Sequence, residues 1–302
     1  MTWRSARCYA AAAAGLACAL LLASCGGTSP ISPAPKPSPS DGVPPQNEAP
    51  AIDAITAQGR RPKQPAKFAD AGETIDVTAT VRDAETLVDE LVYQWTAPVG
   101  TFAGSGRVVT WKAPDNVTAP TKVTLTLKVT ENYGYPGQPK SYSQNVTSTI
   151  EVALHDSKAE VGKMARDFLL DFSDTSIKDI NLIMRNFGTG TRCPEPGEVA
   201  SEREDVTRNF TFYEIKSYSV GQPITTVNFG GSCAVPDGAT KGDACSVVAV
   251  MWESVDTRTL KSGSTRGDDI VSAAYSTQDS RWWLCSSRYR ANATFGAYRF
   301  IR

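Results

Sequence analysis

The sequence has very little histidine: His155 is the single example among 302 residues. Ser-His-Asp and Cys-His nucleophile systems, His-rich zinc sites and His general-base chemistry would all depend on that one side chain. No Ser or Cys signature surrounds it, and it stands beside Asp156 where the sequence pattern changes. We therefore expect His155 to be an exposed linker residue rather than a general base or pH sensor.

An excess of positive charge is also missing, because 31 Lys and Arg residues face 32 Asp and Glu residues. Binding to nucleic acid needs clustered basic side chains that neutralise phosphates. The composition therefore disfavours a nucleic-acid partner. The length of the chain, 302 residues, suits two ordinary globular domains with additional tails.

The N-terminus has a basic start and then an apolar run over residues 9–23, which is typical of a secretory signal. This run is shorter than the roughly 20 residues that span a bilayer as a helix. Residues 22–25, Leu-Ala-Ser-Cys, resemble the lipobox of bacterial lipoproteins. The resemblance implies that residues 1–24 are a removed signal peptide and that Cys25 carries acyl chains such as palmitate. It implies a lipid-anchored protein of the bacterial cell envelope, and Gly26 after the Cys favours the outer membrane.

A proline-rich segment follows, since eight of the 25 residues from 26 to 50 are proline, interleaved with Ser, Ala and Gly. Such a composition favours extended polyproline II and cannot build a core. We expect residues 25–50 to be a disordered linker that tethers the folded part to the membrane.

Residues 51–155 contain short runs in which apolar residues alternate with polar ones, separated by Gly, Pro and Asp. This pattern predicts an antiparallel β-sandwich. Residues 92–95, 100–106 and 109–114 resemble the PKD or Ig-like modules of bacterial surface proteins, in which the strand Trp belongs to the core. The segment has no Cys, so the disulfide of antibody-type domains is absent, and PKD-like relatives do not need it.

Residues 156–302 have a different pattern, with helices first and an antiparallel sheet afterwards, which indicates an α+β fold. Apolar residues recur at helical spacing over 161–172 and again over 177–187, where Ser173 or Asp174 could cap the second helix. A third short helix is expected within 194–209, before five strand-like runs. Residues 168–172, 177–187 and 279–285 resemble NTF2-like, or SnoaL-like, cone domains.

Four cysteines remain beyond the leader and Cys25, and all lie in the second domain. An even number in an exported domain predicts two disulfides. Cys233 and Cys245 bracket a turn that contains Pro236-Asp237-Gly238, so their pairing would clip a hairpin, and Cys193 with Cys285 follows by elimination. A zinc site is the competing interpretation, although the sequence has no CxxC and no nearby His.

Two further groups of residues are candidates for binding. Aromatic side chains on the predicted strands could line a cone-shaped pocket for apolar or sugar ligands, with core packing as the alternative; they are Tyr213, Tyr218, Trp252, Trp282 and Trp283. Because successive strand residues face opposite sides, Trp282 and Trp283 should point to opposite faces. Carboxylates crowded between two strands of the first domain could hold calcium, although a solvated acidic turn is the simpler interpretation; they are Asp83, Glu85, Asp89 and Glu90.

These patterns predict a membrane-anchored envelope lipoprotein that works as a non-catalytic binding or scaffolding module without a cofactor. Its partners would be the membrane through Cys25 and an envelope protein, a glycan or an apolar ligand. The alternative is a SnoaL-like, metal-free enzyme that uses Asp, Glu and Tyr side chains in the C-terminal cone. A deep pocket with at least two inward acidic or Tyr groups of perturbed pKa favours the enzyme, and a filled cone with an exposed apolar patch favours the binding module. A purely structural second domain, with binding by the sandwich, is a third possibility.

Overall fold

The structure is a computed structural model that describes residues 45–291, which belong to one compact unit. The signal peptide, Cys25 and nearly all of the linker lie outside the described residues. The fold is mostly β, with several sheets. No helix within residues 45–291 is long and apolar enough to cross a membrane.

Eight strands and two four-stranded sheets make up the N-terminal lobe, residues 45–155. One sheet has the order β1-β3-β6-β5 and the other β2-β8-β7-β4. All pairs are antiparallel except β2 with β8. The strands are β1 Ala51–Gln58, β2 Phe68–Asp70, β3 Thr74–Arg82, β4 Val92–Thr96, β5 Thr101–Ala103, β6 Val108–Lys112, β7 Thr121–Gly134 and β8 Ser141–His155.

Alternation of apolar and polar residues explains these strands, because the apolar face of each one is buried. In β3, Ile75, Val77 and Ala79 are buried while the residues between them are not. Trp111 of β6 is fully buried, and Leu125 of β7 lies in the same apolar cluster. The expected core between sheets is therefore present.

The C-terminal lobe, residues 156–291, has three helices and a five-stranded antiparallel sheet. The sheet order is β10-β11-β12-β13, and β9 pairs with the far end of β11. The elements are α1 Ser157–Ser173, α2 Ile180–Ile183, a 3₁₀ turn Gly190–Arg192, α3 Pro196–Phe212, β9 Tyr213–Val220, β10 Ile224–Val235, β11 Gly238–Asp256, β12 Ser262–Ser276 and β13 Arg281–Ala291.

The helix predicted over residues 177–187 is wrong in length, since α2 has four residues. Asp179, rather than Ser173 or Asp174, caps it by accepting from the backbone N–H of Asn181. Phe187 instead forms a parallel β-bridge with Leu284 of the sheet. Edge pairing with the sheet thus takes residues that the apolar spacing assigned to a helix. The expected third helix is longer than predicted, because α3 runs for 17 residues.

The two lobes are joined without a linker and share apolar packing. Strand β8 ends at His155 and α1 begins at Ser157. Phe68, from the N-terminal lobe, belongs to the main apolar cluster of the C-terminal lobe and is 1% exposed. Its ring makes edge contacts with Phe229 and Tyr275 at 5.2 and 4.7 Å between centroids. The lobes are therefore fixed against each other by side chains as well as by the chain connection.

Candidate functional site

A cleft of about 300 Å³ opens where the two lobes meet. We call it the interlobe cleft, and its lining combines two lysines, a carboxylate, three hydroxyl groups and small apolar side chains. Domain interfaces are a preferred location for ligand sites, and this volume is at the lower end of their usual range. The lining residues are Ala66, Lys67, Lys122, Glu151 and Ala153 of the N-terminal lobe with Tyr275, Thr277 and Ser280 of the C-terminal lobe.

His155 lies behind the cleft, and the prediction that it is an exposed linker residue is wrong. Its side chain is 1% exposed and stacks on Phe68, with 5.1 Å between ring centroids. Nδ1 lies 2.9 Å from a carboxylate oxygen of Glu160, and Nε2 lies 3.3 Å from the hydroxyl of Tyr275. His155 is buried rather than exposed because β8 leads directly into α1 without a linker, which places the residue in the junction between the lobes.

These contacts form a hydrogen-bonded chain from Glu160 through His155 to Tyr275. An ionised carboxylate can only accept, so Nδ1 carries the proton, and in the neutral ring Nε2 then accepts from the Tyr275 hydroxyl. Glu160 also accepts from the backbone N–H of Asp156 at 3.0 Å, which holds its carboxylate in place. The chain satisfies a buried imidazole and fixes the phenol at the wall of the interlobe cleft.

Burial raises the pKa of Tyr275 to about 12, and the nearby charges of Glu160 and Asp70 add to the rise, while a hydrogen bond with Ser280 opposes it. The phenol therefore stays neutral, and because it donates its proton to His155, its oxygen can offer a ligand only an acceptor at the cleft wall.

We expect Tyr275 to ionise late and to make the protein less stable in alkali. The pKa of Tyr275 in the folded protein lies above its value of about 10 in the unfolded chain. The contribution of Tyr275 to the stability of the folded state is therefore complete below pH 10 and is lost as the pH approaches 12. An ultraviolet titration of phenolate absorbance in the native protein should show that Tyr275→Phe removes amplitude near pH 12. Loss of amplitude near pH 10 instead would contradict this expectation.

Lys67 stands at the edge of the cleft in a backbone conformation that is unusual for its residue type. Its φ is +59°, in the left-handed region that favours glycine. Two backbone hydrogen bonds hold it there: its N–H donates to the carbonyl of Ala57 at 2.9 Å, and its carbonyl accepts from Ala153 at 2.8 Å. Left-handed backbone at a residue with a side chain costs free energy and is often retained at functional sites.

The charges of the cleft are not balanced. The Lys122 ammonium lies 3.3 Å from the Glu151 carboxylate, and both side chains are exposed. Lys67 is exposed too, and within the described residues its ammonium has no hydrogen bond or ion pair. The cleft therefore presents one uncompensated positive charge beside several hydroxyl groups.

A much smaller cavity of about 40 Å³ lies between α1, α3 and the sheet. Its polar lining includes Glu202, Asp269 and Tyr289, and burial together with the charges of Asp269 and Asp268 raises the pKa of Tyr289 to about 12. Glu202 accepts from the backbone N–H of Ser287 at 3.0 Å, so this carboxylate already serves the structure. Such a volume holds water rather than an organic ligand.

The five aromatic residues proposed to line one pocket are not brought together. Trp252 alone of the five lines the 40 Å³ cavity, and its indole N–H donates to Ser173 at 2.7 Å. Tyr213 lines a separate cavity of about 10 Å³, and Tyr218 is 43% exposed. The single-pocket interpretation is therefore corrected, because strand alternation and indole hydrogen bonds distribute these rings over different surroundings.

Adjacent Trp282 and Trp283 do lie in different environments. Trp282 is 1% exposed in the core, and its indole N–H donates to Ser157 at 3.2 Å. The half-buried Trp283 has the guanidinium groups of Arg192 and Arg281 at 4.9 and 4.0 Å from its ring centroid. These cations occupy the ring, so Trp283 is a poor stacking surface for a sugar.

Both disulfides expected from the sequence are present. Cys233 pairs with Cys245 across the β10–β11 hairpin, and Cys193 pairs with Cys285, joining the segment after the 3₁₀ turn to β13. Bonded to each other, these sulfurs are not arranged as zinc ligands.

The acidic turn proposed as a calcium candidate does not gather its carboxylates. Asp83 uses one oxygen to accept from the backbone N–H groups of Glu85 and Thr86, at 3.0 and 2.7 Å. Asp89 is exposed and points toward Arg107 at 3.9 Å, while the backbone N–H of Glu90 closes the turn. Within residues 45–291 no group of three or more His, Cys, Asp or Glu side chains could hold a metal ion.

Sequence reasoning missed the interlobe cleft because its lining comes from four separate segments with no local motif. The one available signal was His155 itself, a lone imidazole directly before the Asp156 cap of α1. Comparison with protein-family models, curated proteins and solved structures found no match for this chain in any of the three.

Proposed function

We propose that this protein is a lipid-anchored lipoprotein of the bacterial cell envelope that acts as a non-catalytic binding module for a glycan in the interlobe cleft. The observation that carries the proposal is the lining of that cleft by Tyr275, Thr277, Ser280 and Glu151. Hydroxyl and carboxylate groups exchange hydrogen bonds with sugar hydroxyls, and the small apolar side chains offer contact to a sugar ring.

Two features support binding over catalysis. The cavity that α1, α3 and the sheet of the C-terminal lobe enclose is about 40 Å³, which is too small for an organic substrate. The buried Phe68 at the lobe junction gives the interlobe cleft fixed walls, and fixed walls lower the cost of ordering a binding site.

The anchor is part of the proposal and rests on residues 22–25 and the proline-rich linker. Acyl chains on Cys25 would hold the protein in the membrane, most simply the outer membrane, and the linker would keep the two lobes away from its surface. Cys25→Ser should move the protein from the membrane fraction to the soluble fraction and leave glycan binding unchanged.

The decisive experiment titrates a panel of envelope oligosaccharides into the full-length lipoprotein in detergent and measures binding by isothermal titration calorimetry. Mass spectrometry of each sugar after prolonged incubation reports turnover. We expect binding without any change in the sugar. A panel that shows no binding, or a sugar that is converted, contradicts the proposal.

An enzyme of the SnoaL-like type is the second candidate, and one observation favours it. The hydroxyl of Tyr289 is buried without a hydrogen-bond partner among the described residues, beside the buried Asp269. A phenol and a carboxylate in one cavity can exchange protons with a substrate. If turnover is detected, Tyr289→Phe should abolish it while leaving the interlobe cleft intact, and Tyr275→Phe should not.

A further inference from the structure

We infer that the interlobe cleft selects a saccharide that carries a carboxylate and that the ammonium of Lys67 recognises this group. The inference rests on the proposed glycan site and names the class of sugar that fits it. Its basis is the position, charge and backbone of Lys67 relative to the other lining residues.

Charge separates Lys67 from its neighbours in the cleft. Lys122 is already paired with Glu151 at 3.3 Å, so these two side chains offer a neutral pair that can exchange hydrogen bonds with hydroxyl groups. Lys67 has no such partner within the described residues. A neutral sugar would leave its charge without a counterion, whereas a carboxylate would form a charge-assisted hydrogen bond with it.

The other residues that line the cleft can contact the hydroxyl groups and the ring of such an acidic sugar. Tyr275, Thr277 and Ser280 supply hydroxyl groups from the opposite wall, and Ala66 and Ala153 supply apolar surface on the same side as Lys67. Ser280, like Lys67, has a left-handed backbone, with φ of +52°. Two residues with left-handed backbone therefore line the cleft, one from each lobe.

The backbone of Lys67 makes an unusually clean test possible. At φ of +59° a glycine has no steric cost, so Lys67→Gly should fold at least as well as the natural protein. If Lys67 served only the structure, replacing it with glycine would thus leave the protein at least as stable and its sugar binding unchanged. A residue that recognises a carboxylate would lose that role.

The experiment compares a galacturonate trisaccharide with the corresponding galactose trisaccharide, both titrated into the full-length lipoprotein in detergent. We expect the acidic sugar to bind more tightly, and its affinity to fall as salt is raised. Lys67→Gly and Lys67→Gln should each weaken the acidic sugar about five- to tenfold and leave the neutral sugar unchanged. Thermal midpoints of both variants should show that the fold is retained.

Lys128→Gln is the matched control, because Lys128 is an exposed lysine on β7, the strand that also carries Lys122. The two lysines are an even number of residues apart, so they share a face and lie roughly 20 Å apart. This variant removes the same charge outside the cleft and should bind the acidic sugar as the natural protein does.

Four outcomes overturn the inference, and the titrations distinguish them from one another. Equal binding of the acidic and neutral sugars, or full binding of the acidic sugar by Lys67→Gly, rejects carboxylate recognition while glycan binding stands. Inorganic phosphate that displaces the acidic sugar at equal concentration indicates a simple anion site. Absence of binding by both sugars, and by the wider oligosaccharide panel, removes the proposed function as well.

Discussion

Replacing Phe68 with Ala is expected to lower the free energy of unfolding by about 3–5 kcal/mol, the range for truncating a buried phenylalanine. The side chain is 1% exposed and lies between the two lobes, in contact with His155, Phe229 and Tyr275. Its removal takes apolar area from the core and leaves a cavity where the lobes meet. It also removes the surface on which His155 stacks.

Guanidinium denaturation followed by tryptophan fluorescence measures this loss, because both lobes contain tryptophan. Phe102→Ala is the matched control: it removes the same side chain from the same lobe, at a partly buried position where Phe102 packs on Trp95, 5.8 Å away between centroids. We expect the Phe68 variant to lose clearly more stability than the Phe102 variant. Equal losses would mean that the junction contributes no more than a peripheral contact.

The interlobe cleft depends on this junction, so stability and binding are connected in Phe68→Ala. Strand β2 holds Phe68 at the start of a parallel pairing with Ala153, and Ala153 itself lines the cleft. The Glu160–His155–Tyr275 chain fixes the opposite wall. A variant that folds with a loosened junction should therefore bind the glycan more weakly, through misplacement of both walls rather than loss of a contact.

The strands of both lobes could be predicted because alternation is a local property of the sequence. Residues 73–83 alternate, and β3 forms over Thr74–Arg82. The helix expected over residues 177–187 failed for the opposite reason, because the pairing of Phe187 with Leu284 is set by a strand almost a hundred residues away. Tertiary pairing overrides local spacing where an open sheet edge is available.

The candidate site was harder to predict because its chemistry comes from tertiary contacts. Lys67 is an ordinary lysine in the sequence, and only its backbone angle and its place in the cleft lining distinguish it. His155 looked exposed since it follows a strand and precedes a helix cap, both common surface positions. Its burial required Phe68, Glu160 and Tyr275, which are distributed over β2, α1 and β12.

The cysteines are the exception, because their pairing could be predicted from the sequence. The prediction needed only an even number of cysteines in the domain and one local turn between two of them. The two disulfides close loops of very different length, with sequence separations of 92 for Cys193–Cys285 and 12 for Cys233–Cys245. In the chain-entropy account a disulfide stabilises by restricting the unfolded chain, and the restriction grows with loop length. The two bonds should therefore differ in what they contribute to the same fold.

Replacing both Cys193 and Cys285 with Ala is expected to lower the free energy of unfolding by about 4–5 kcal/mol, against about 3 kcal/mol for the Cys233 and Cys245 pair. Alanine is chosen because Cys193, Cys233 and Cys285 are buried, where a serine hydroxyl would add a desolvation cost. Guanidinium denaturation of the exported protein without reductant measures both values.

The shorter loop serves as the matched control for the longer one, because each variant removes two sulfur atoms and one bond. Local structure reinforces the expected order: β10 and β11 pair from Val235↔Gly238 to Gly231↔Gly242, so we expect the hairpin to form without its disulfide. Segment 184–193 has one backbone bridge to β13, between Phe187 and Leu284, besides the disulfide and the contacts of Arg192 with Asp279 and Trp283. A larger loss from the hairpin pair would show that native contacts, rather than loop length, decide the contribution of each bond.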